Sequence, residues 1–373
     1  MLNSSLASVY GLYMANLNDR IFMKYFLKTF LLLFFLGLIF SSCKKESADS
    51  VSETKTINAK PAGLALANQD EVKVAEKIIV LNKEEKMPVW LYGKANANTI
   101  LVMVHGGPGS NVLDYRNLNQ GLAFKRLENN HIVAYWQQRA SGESQGPDNS
   151  NYYTIQQYAE DCDMVVKKLK AKYPDKRIVL MGHSWGGMLI PFYLRSQIRR
   201  AKIAAWINID GLHNGTTFLQ SSIQDLNAEA DKRIALQQNV SYWNSVKNDI
   251  SKYPTAANPL SYSCIAYIPE VKIKVYPQNF TSFTSRATNS NRKIFPVVLN
   301  TDNTSYLKSY TLPTLVLWGK YDYSVSKRTR DQMLANSGST KLVNKEFSVS
   351  SHFPMFQEPD QFAESIESFI KSF

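Results

Sequence analysis

Cysteine and histidine are both scarce in this chain, which has three cysteines and five histidines among 373 residues. No two histidines lie within four residues of each other, and no cysteine and histidine cluster has the spacing of metal ligands. The sequence therefore predicts no metal site. Cys162 and Cys264 are predicted to be buried thiols, with a single disulfide between them as the alternative.

Long basic runs are also absent, although the formal net charge is +12. The lysines and arginines are spread along the chain without the basic, aromatic-interleaved patch typical of nucleic-acid binding. An apolar content of 44%, with 12% aromatic residues, allows a sizeable core in one large domain or two ordinary ones. These features predict a globular protein with a mildly basic surface and no nucleic-acid partner.

The apolar run at residues 27–40 is too short for a comfortable membrane span and is followed by small residues and Cys43. It predicts a signal peptide over residues 1–42, with translation starting at Met23. The Ser-Ser-Cys ending resembles a bacterial lipobox, which implies a lipid anchor on Cys43. The predicted location is then the cell envelope, on the periplasmic or surface side of a membrane. A soluble secreted protein with a free Cys43 is the alternative.

Residues 43–72 are rich in Ser, Lys, Ala, Asn and Glu and have little apolar periodicity, so they predict a flexible tether. Beyond them, apolar runs predict strands at 76–82, 87–93, 99–104, 131–136, 178–181, 203–209, 312–318 and 341–347. Helical patterns lie between many of these runs, and Thr154 with Gln157 predicts a capping box at the start of one. The alternation predicts an α/β fold with a mostly parallel sheet, helices on both faces and a site at the carboxyl ends of the strands.

The pattern Gly182-His-Ser-Trp-Gly186 lies between a predicted strand and a predicted helix. A sharp turn there forces Ser184 into a strained backbone conformation, and the flanking glycines leave room for neighbouring chains. The turn lifts the serine hydroxyl clear of the sheet and aims the helix N-terminus at it, which favours a developing oxyanion. The pattern predicts a nucleophile, although such short motifs also occur by chance in ordinary turns.

A serine nucleophile needs a base to accept its proton and a carboxylate to orient that base. Asp322 and His352 each follow a predicted strand, so both can reach the edge of the sheet where Ser184 lies. The chain order of serine, acid and histidine predicts a catalytic triad. Asp210 also ends a strand and is the alternative acid, but the Trp-Gly-x-x-Asp context favours Asp322.

These motifs, with Ser351-His-Phe-Pro354, resemble those of the α/β-hydrolase fold. The segment His105-Gly-Gly-Pro-Gly109 is similar to that of prolyl aminopeptidases, also called proline iminopeptidases, and their relatives. The resemblance covers about residues 76–211 and 312–373. It implies an oxyanion hole formed by the backbone N–H groups of Gly107 and Trp185.

Residues 212–311 interrupt the alternation and are rich in Asn, Ser, Tyr and Lys, with an amphipathic stretch at 223–238. They predict a helical cap inserted between two parts of an α/β-hydrolase core, residues 73–211 and 312–373.

One loop departs from the family pattern Asp-Gln-Arg-Gly. Gln137 stands in place of the aspartate, and Ala140 stands in place of the first glycine. If that aspartate supports the arginine in relatives, Arg139 must find another partner here.

An aminopeptidase must hold a free α-ammonium group near its nucleophile, and carboxylates do this best. Asp225, Glu229 and Asp231 of the predicted cap are the candidate ligands, although they equally fit a solvated helix face. The resemblance thus favours a serine hydrolase that acts through an acyl-enzyme, needs no cofactor and releases N-terminal residues, proline among them, from small peptides. The alternatives are a carboxylesterase with the same triad and a catalytically silent lipoprotein that binds a ligand.

Overall fold

A computed structural model describes residues 73–373, which form one eight-stranded sheet with helices on both faces. The strands are β1 (Lys73–Asn82), β2 (Glu85–Lys94), β3 (Thr99–Val104), β4 (Ile132–Trp136), β5 (Arg177–His183), β6 (Ala205–Ile209), β7 (Thr314–Gly319) and β8 (Leu342–Phe347). Their order across the sheet is β1-β2-β4-β3-β5-β6-β7-β8. The pairings β1–β2 and β2–β4 are antiparallel, and every other neighbouring pair is parallel. The predicted mostly parallel α/β sheet is confirmed.

The helices of the described residues lie mainly between these strands. They are α1 (Asp114–Asn117), α2 (Leu122–Glu128), α3 (Ile155–Lys172), α4 (Trp185–Leu194), α5 (Gln197–Arg200), α6 (Phe218–Ala235), α7 (Val240–Lys252), α8 (Ala257–Ser263), α9 (Ser285–Leu299), α10 (Thr304–Leu307), α11 (Lys327–Asn336), α12 (Pro354–Gln357) and α13 (Pro359–Lys371). Short 3₁₀ turns occur at Leu118–Gly121, Ser150–Tyr152, Pro254–Ala256, Cys264–Tyr267 and Pro277–Asn279.

The central strands β3 to β7 are buried on both faces, which explains their near-continuous apolar sequences, whereas the edge strands β1 and β8 are partly exposed. Alternate residues of β3 point to opposite sides, so that Val102 joins one apolar cluster and Leu101 and Met103 join another. The first cluster includes side chains of α3 and α4, and the second includes side chains of α2 and α13. Two helical layers therefore cover the sheet and hold the carboxyl ends of its parallel strands in fixed positions.

Residues 212–311, called the cap below, contain α6 to α10 and no strand. Leu226, Trp243, Val246 and Cys264 pack there into an apolar cluster of their own. The cap is tied to the core by Arg286, whose guanidinium donates to the buried Glu85 carboxylate at 2.6 Å. The cap thus has its own apolar packing and an ionic attachment near the sheet.

Every strand predicted from the sequence is present, with ends that differ by at most three residues. The predicted capping box is half formed, because Thr154 Oγ1 accepts the N–H of Gln157 at 3.1 Å but the Gln157 side chain does not return the bond. That side chain instead contacts Lys83 and Asp161. These contacts replace the hydrogen bond from the Thr154 backbone N–H that a complete capping box would have.

The predicted signal peptide, the tether and the lipidation site Cys43 all lie outside the described residues. Within residues 73–373, no helix is both long and apolar enough to cross a bilayer. Cys162 and Cys264 are buried free thiols, so the disulfide alternative is wrong.

Candidate active site

The turn between β5 and α4 holds Ser184 in a strained conformation, with φ of 55° and ψ of −114°. The two flanking glycines are required by close backbone contacts. A Cβ on Gly186 would lie 2.1 Å from the carbonyl oxygen of Val104, and one on Gly182 would lie 2.5 Å from that of Gly186. Ser184 is left half-buried at the start of the helix, which is the exposure that a nucleophile needs.

The loops after β7 and β8 bring Asp322 and His352 together. Asp322 Oδ2 lies 2.7 Å from His352 Nδ1, while its Oδ1 accepts the backbone N–H groups of Ser324 and Val325 at 2.8 and 2.9 Å. His352 Nε2 is buried and makes no hydrogen bond with any of residues 73–373. Because Asp322 fixes Nδ1 as the protonated nitrogen, Nε2 is the one that can accept a proton.

Burial lowers the pKa of His352 to about 3. The imidazole is therefore neutral at physiological pH, which is the state that a general base must have. Asp322 is equally buried, and its carboxylate compensates the charge that the ring acquires when it takes a proton.

Asp210, the alternative acid, lies close to Asp322 and His352. Its Oδ1 accepts the backbone N–H of Gly319 at 2.8 Å, and the functional groups of Asp210, Asp322 and His352 all lie within 4.8 Å of one another. The structure places Asp322 rather than Asp210 against His352 Nδ1.

Gly107 and Trp185 line the same pocket as Ser184. Within the described chain, neither backbone N–H donates to another backbone group. Gly107 adopts φ of +111°, a conformation that favours glycine. Two N–H groups are thus available beside the serine, as an oxyanion hole requires.

The pocket in front of Ser184 is small, with a cavity volume of about 60 Å³. Its apolar wall is formed by Pro108, Trp185, Leu212, Phe218, Phe295, Val298 and Val325. A polar corner is formed by Asn258, Tyr262 and Ser324, which are linked by hydrogen bonds from Ser324 Oγ. No residue that lines it, within the part of the chain described, carries a charge.

The three carboxylates predicted to bind an amine do not line this pocket. Asp225 accepts from Arg328 at 2.7 Å, and Glu229 accepts from Arg233 at 2.6 Å. Asp231 is an exposed residue that pairs with Lys247. Each is committed to a cation of the protein itself, so the structure gives no support for their predicted role. Residue spacing does not reveal the long-range pair of Asp225 with Arg328, whereas Glu229 and Arg233 lie four residues apart on one helix.

Arg139 is paired with acidic residues outside its own loop, as we expected from the absence of the aspartate at position 137. Its guanidinium binds Asp161 through two bonds of 2.7 and 2.8 Å and lies 3.7 Å from Glu85. Gln137 does not contact it but accepts the N–H of Val112 and donates to the carbonyl of Ser110. Arg139 is therefore supported by Asp161 of α3, and Gln137 ties this loop to the segment that follows Gly107.

Sequence reasoning did not single out His183 or Tyr115. Gly106 N–H donates to Tyr115 Oη at 3.0 Å, the Tyr115 hydroxyl bonds His183 Nδ1 at 2.8 Å, and His183 Nε2 bonds the backbone oxygen of His352 at 2.8 Å. A carbonyl only accepts, so Nε2 carries the proton and Nδ1 accepts from tyrosine. The only feature of the sequence that could have identified His183 is its position directly before Ser184, the candidate nucleophile.

Fold and site together define a hydrolase with a serine at a strand-to-helix turn. The chain matches the α/β hydrolase fold family over residues 99–359. It therefore belongs to the α/β-hydrolase family.

Curated and solved relatives include peptidases and esterases. The chain is 27% identical over 288 residues to a proline iminopeptidase of Saccharolobus solfataricus, covering 75% of this chain and 87% of that one. The structure of a Mycobacterium smegmatis proline iminopeptidase aligns with a TM-score of 0.55 at 18% identity, over 79% of this chain and 98% of that one. An esterase of Exiguobacterium antarcticum aligns with a TM-score of 0.53 at 18% identity, over 80% and 100%. The predicted resemblance to the prolyl aminopeptidase family is confirmed, and the two structural likenesses concern the fold alone.

Proposed function

We propose that this enzyme forms an acyl-enzyme at Ser184 and hydrolyses uncharged esters or amides that carry a small apolar acyl group. The observation that carries the substrate class is the uncharged, largely apolar pocket in front of the serine. Apolar walls with a few polar groups are typical of pockets that bind neutral small molecules. An ammonium group buried there without a carboxylate would lose its hydration without compensation.

The proposed mechanism uses Ser184 as nucleophile, His352 as base and Asp322 as the acid that orients the base. His352 Nε2 accepts the hydroxyl proton as Ser184 Oγ attacks the carbonyl carbon, and Asp322 stabilises the resulting imidazolium. The N–H groups of Gly107 and Trp185 bind the oxyanion of the tetrahedral intermediate. His352 then returns the proton to the leaving group. In the second half of the reaction, His352 takes a proton from water as the water attacks the acyl-enzyme, and it then returns the proton to Ser184 Oγ as the carboxylic acid leaves. No cofactor takes part.

Paired substrates separate this proposal from its main rival. Prolyl naphthylamide carries a positively charged ammonium group at neutral pH, whereas its N-acetyl form is neutral. The comparison therefore tests whether the uncharged pocket discriminates against the ammonium group. We expect kcat/KM for the N-acetyl compound and for nitrophenyl butyrate to exceed that for the free amine by at least about tenfold. Ser184→Ala is the control and should lower kcat by about 10⁴-fold or more.

An aminopeptidase of the prolyl type is the second candidate, favoured by the similarity to the Saccharolobus solfataricus enzyme over 87% of that chain. Preference for the free amine would establish it and contradict the neutral-substrate proposal. Asp225→Asn is then the informative variant, since an amine ligand should raise KM about 100-fold when neutralised. A residue that pairs only with Arg328 should leave KM unaltered.

We further propose that the chain is exported and anchored through lipid on Cys43. The support is the apolar run that ends in Ser-Ser-Cys. The full-length chain expressed in a bacterial host should partition into detergent, and Cys43→Ser should move it to the aqueous phase. Equal partitioning of the two would refute the anchor.

A further inference from the structure

Asp210 is held in a fixed orientation between β6 and β7. Its backbone N–H donates to the carbonyl of Leu317 at 2.9 Å, and its Oδ1 accepts the N–H of Gly319 at 2.8 Å. The residue is fully buried, and Oδ2 has no donor among the described residues. Bulk water therefore cannot stabilise a negative charge on this carboxyl group.

The carboxyl groups of Asp210 and Asp322 have oxygens within 4.8 Å of each other, and Oδ2 of Asp210 is buried without a donor among the described residues. Two carboxylate ions can only accept hydrogen bonds, and their charges repel strongly in a dry environment. A hydrogen bond between them requires that one carboxyl group carry a proton. The pair is then one acid and one carboxylate.

The donors around each group decide which one keeps the proton. Asp322 receives two backbone N–H groups and His352 Nδ1, whereas Asp210 receives one N–H, from Gly319. More donors stabilise the ionised form, so the negative charge belongs on Asp322. Burial raises the pKa of both carboxyl groups well above the ordinary value. Asp322 raises the pKa of Asp210 further, whereas Asp210 lowers that of Asp322, which agrees with this assignment.

Other titratable groups around the pair do not reverse the assignment. Arg330 of α11 acts on Asp210 but is itself paired with Asp331 and Glu346. Cys264 of the cap interacts with Asp322, but burial raises the pKa of its thiol, which is thus neutral. His183 acts on His352 and is neutral as well, because burial holds its pKa well below the usual range.

We propose that Asp210 is a neutral positioning residue whose carboxyl O–H donates a hydrogen bond to the Asp322 carboxylate. The proposal rests on the function proposed above, in which Asp322 orients His352. The Asp210 donor spreads the negative charge of Asp322 over a further hydrogen bond and so limits how strongly Asp322 stabilises the His352 imidazolium. Asp210 thereby sets the pH at which His352 becomes a competent base.

Substitution of Asp210 by Asn and by Ala tests the donor. An asparagine keeps an acceptor for Gly319 and an N–H donor for Asp322, so Asp210→Asn should lower kcat/KM for nitrophenyl butyrate by less than about fivefold and keep the acid limb of its pH profile in place. Asp210→Ala leaves Asp322 more basic. Its acid limb should move to higher pH by about one unit.

Two results in these profiles would overturn the proposal. A shift of the acid limb to lower pH in Asp210→Asn would mean that the substitution removed a negative charge, and hence that Asp210 is ionised. An unshifted limb in Asp210→Ala, with a lower melting temperature alone, would mean that the residue serves stability only.

Infrared spectroscopy tests the proton without any turnover, so failure of the proposed function does not affect it. The difference spectrum of the wild type minus Asp210→Asn at neutral pH should contain the C=O stretch of a neutral carboxyl group. Asp163→Asn, which removes a carboxylate paired with Lys167 and Lys202, is the matched control, and its difference spectrum should lack that band. Only carboxylate bands in the Asp210 difference spectrum would refute a neutral Asp210, even if Asp210→Ala proved too unstable to purify.

Discussion

His183 Nε2 donates a hydrogen bond of 2.8 Å to the backbone carbonyl oxygen of His352. The residue before the candidate nucleophile is thus joined to the backbone of the candidate base. Tyr115 extends the connection to Gly106, the neighbour of Gly107, whose N–H is a candidate oxyanion donor. One buried chain of hydrogen bonds therefore spans the three loops that the proposed mechanism must hold in register.

Tyr115→Phe should break this chain at its centre. It leaves the N–H of Gly106 and Nδ1 of His183 buried without a partner, at a cost of about 1–3 kcal/mol in the free energy of unfolding. Small displacements of the loops should lower kcat about tenfold while KM changes little. Steady-state kinetics and urea unfolding check both effects.

Tyr310→Phe is the matched control for that variant. Tyr310 is equally buried and donates to the carbonyl of Pro191 at 2.8 Å, but it has no part in the hydrogen-bond chain through His183. Its loss should reduce stability by a similar amount without lowering kcat. An equal fall of kcat in both variants would show that the Tyr115 network has no special role.

The strain at Ser184 predicts a difference between two inactive variants. Its φ of 55° with ψ of −114° costs a residue with a side chain about 1–3 kcal/mol, whereas glycine adopts such angles readily. Ser184→Gly should therefore unfold with a free energy about 1 kcal/mol higher than Ser184→Ala. Thermal unfolding of the two proteins measures this difference, and a less stable glycine variant would contradict the strain.

The fold and the pairing of Asp322 with His352 were predictable because strand order and loop position depend on local signals. Apolar runs located the strands, and side chains that follow parallel strands share one edge of the sheet. Partner choice was not predictable, because it depends on contacts between distant parts of the chain. Asp225 pairs with Arg328 and Glu85 pairs with Arg286, and neither pair is marked by any spacing in the sequence.

The same limit applies to Asp210. Its position after a strand made it a candidate acid, and only the structure shows that Asp322, not Asp210, contacts His352 Nδ1. The sequence therefore identified a carboxyl group of the site but not the order in which the groups lie. The network through Tyr115 is a similar case, since Tyr115 and His183 are separated by 68 residues.

Arg286 attaches the cap to the core through a carboxylate that is almost fully buried. The exposed fraction of Glu85 is 1%, and its other ionic contact is the longer one to Arg139. Arg286→Gln should lower the free energy of unfolding by about 2–3 kcal/mol, because it leaves a buried charge partly uncompensated. Lys247→Gln removes an exposed pair with Asp231 and should change the free energy of unfolding by less than about 0.5 kcal/mol. Equal effects of the two substitutions in urea unfolding would contradict this difference.

Buried histidines make the protein sensitive to acid. Burial lowers the pKa of His105 and His213 to about 4 and that of His352 to about 3. Since the unfolded chain takes up these protons near pH 6.5, it binds more protons than the folded chain over the whole interval down to about pH 4. The stabilisation is present above that interval and is lost as the pH falls through it.

The raised pKa values of Asp210 and Asp322 change the free energy of unfolding with pH in the opposite direction, so the pH dependence of the wild type mixes both effects. His213→Gln isolates the contribution of one histidine. Between pH 7.5 and pH 5, the loss in free energy of unfolding should be smaller in this variant than in the wild type by about 2 kcal/mol. Urea unfolding at the two pH values gives both differences, and each protein serves as its own reference. An identical loss in the two proteins would mean that His213 is already protonated in the folded state or never gains a proton on unfolding.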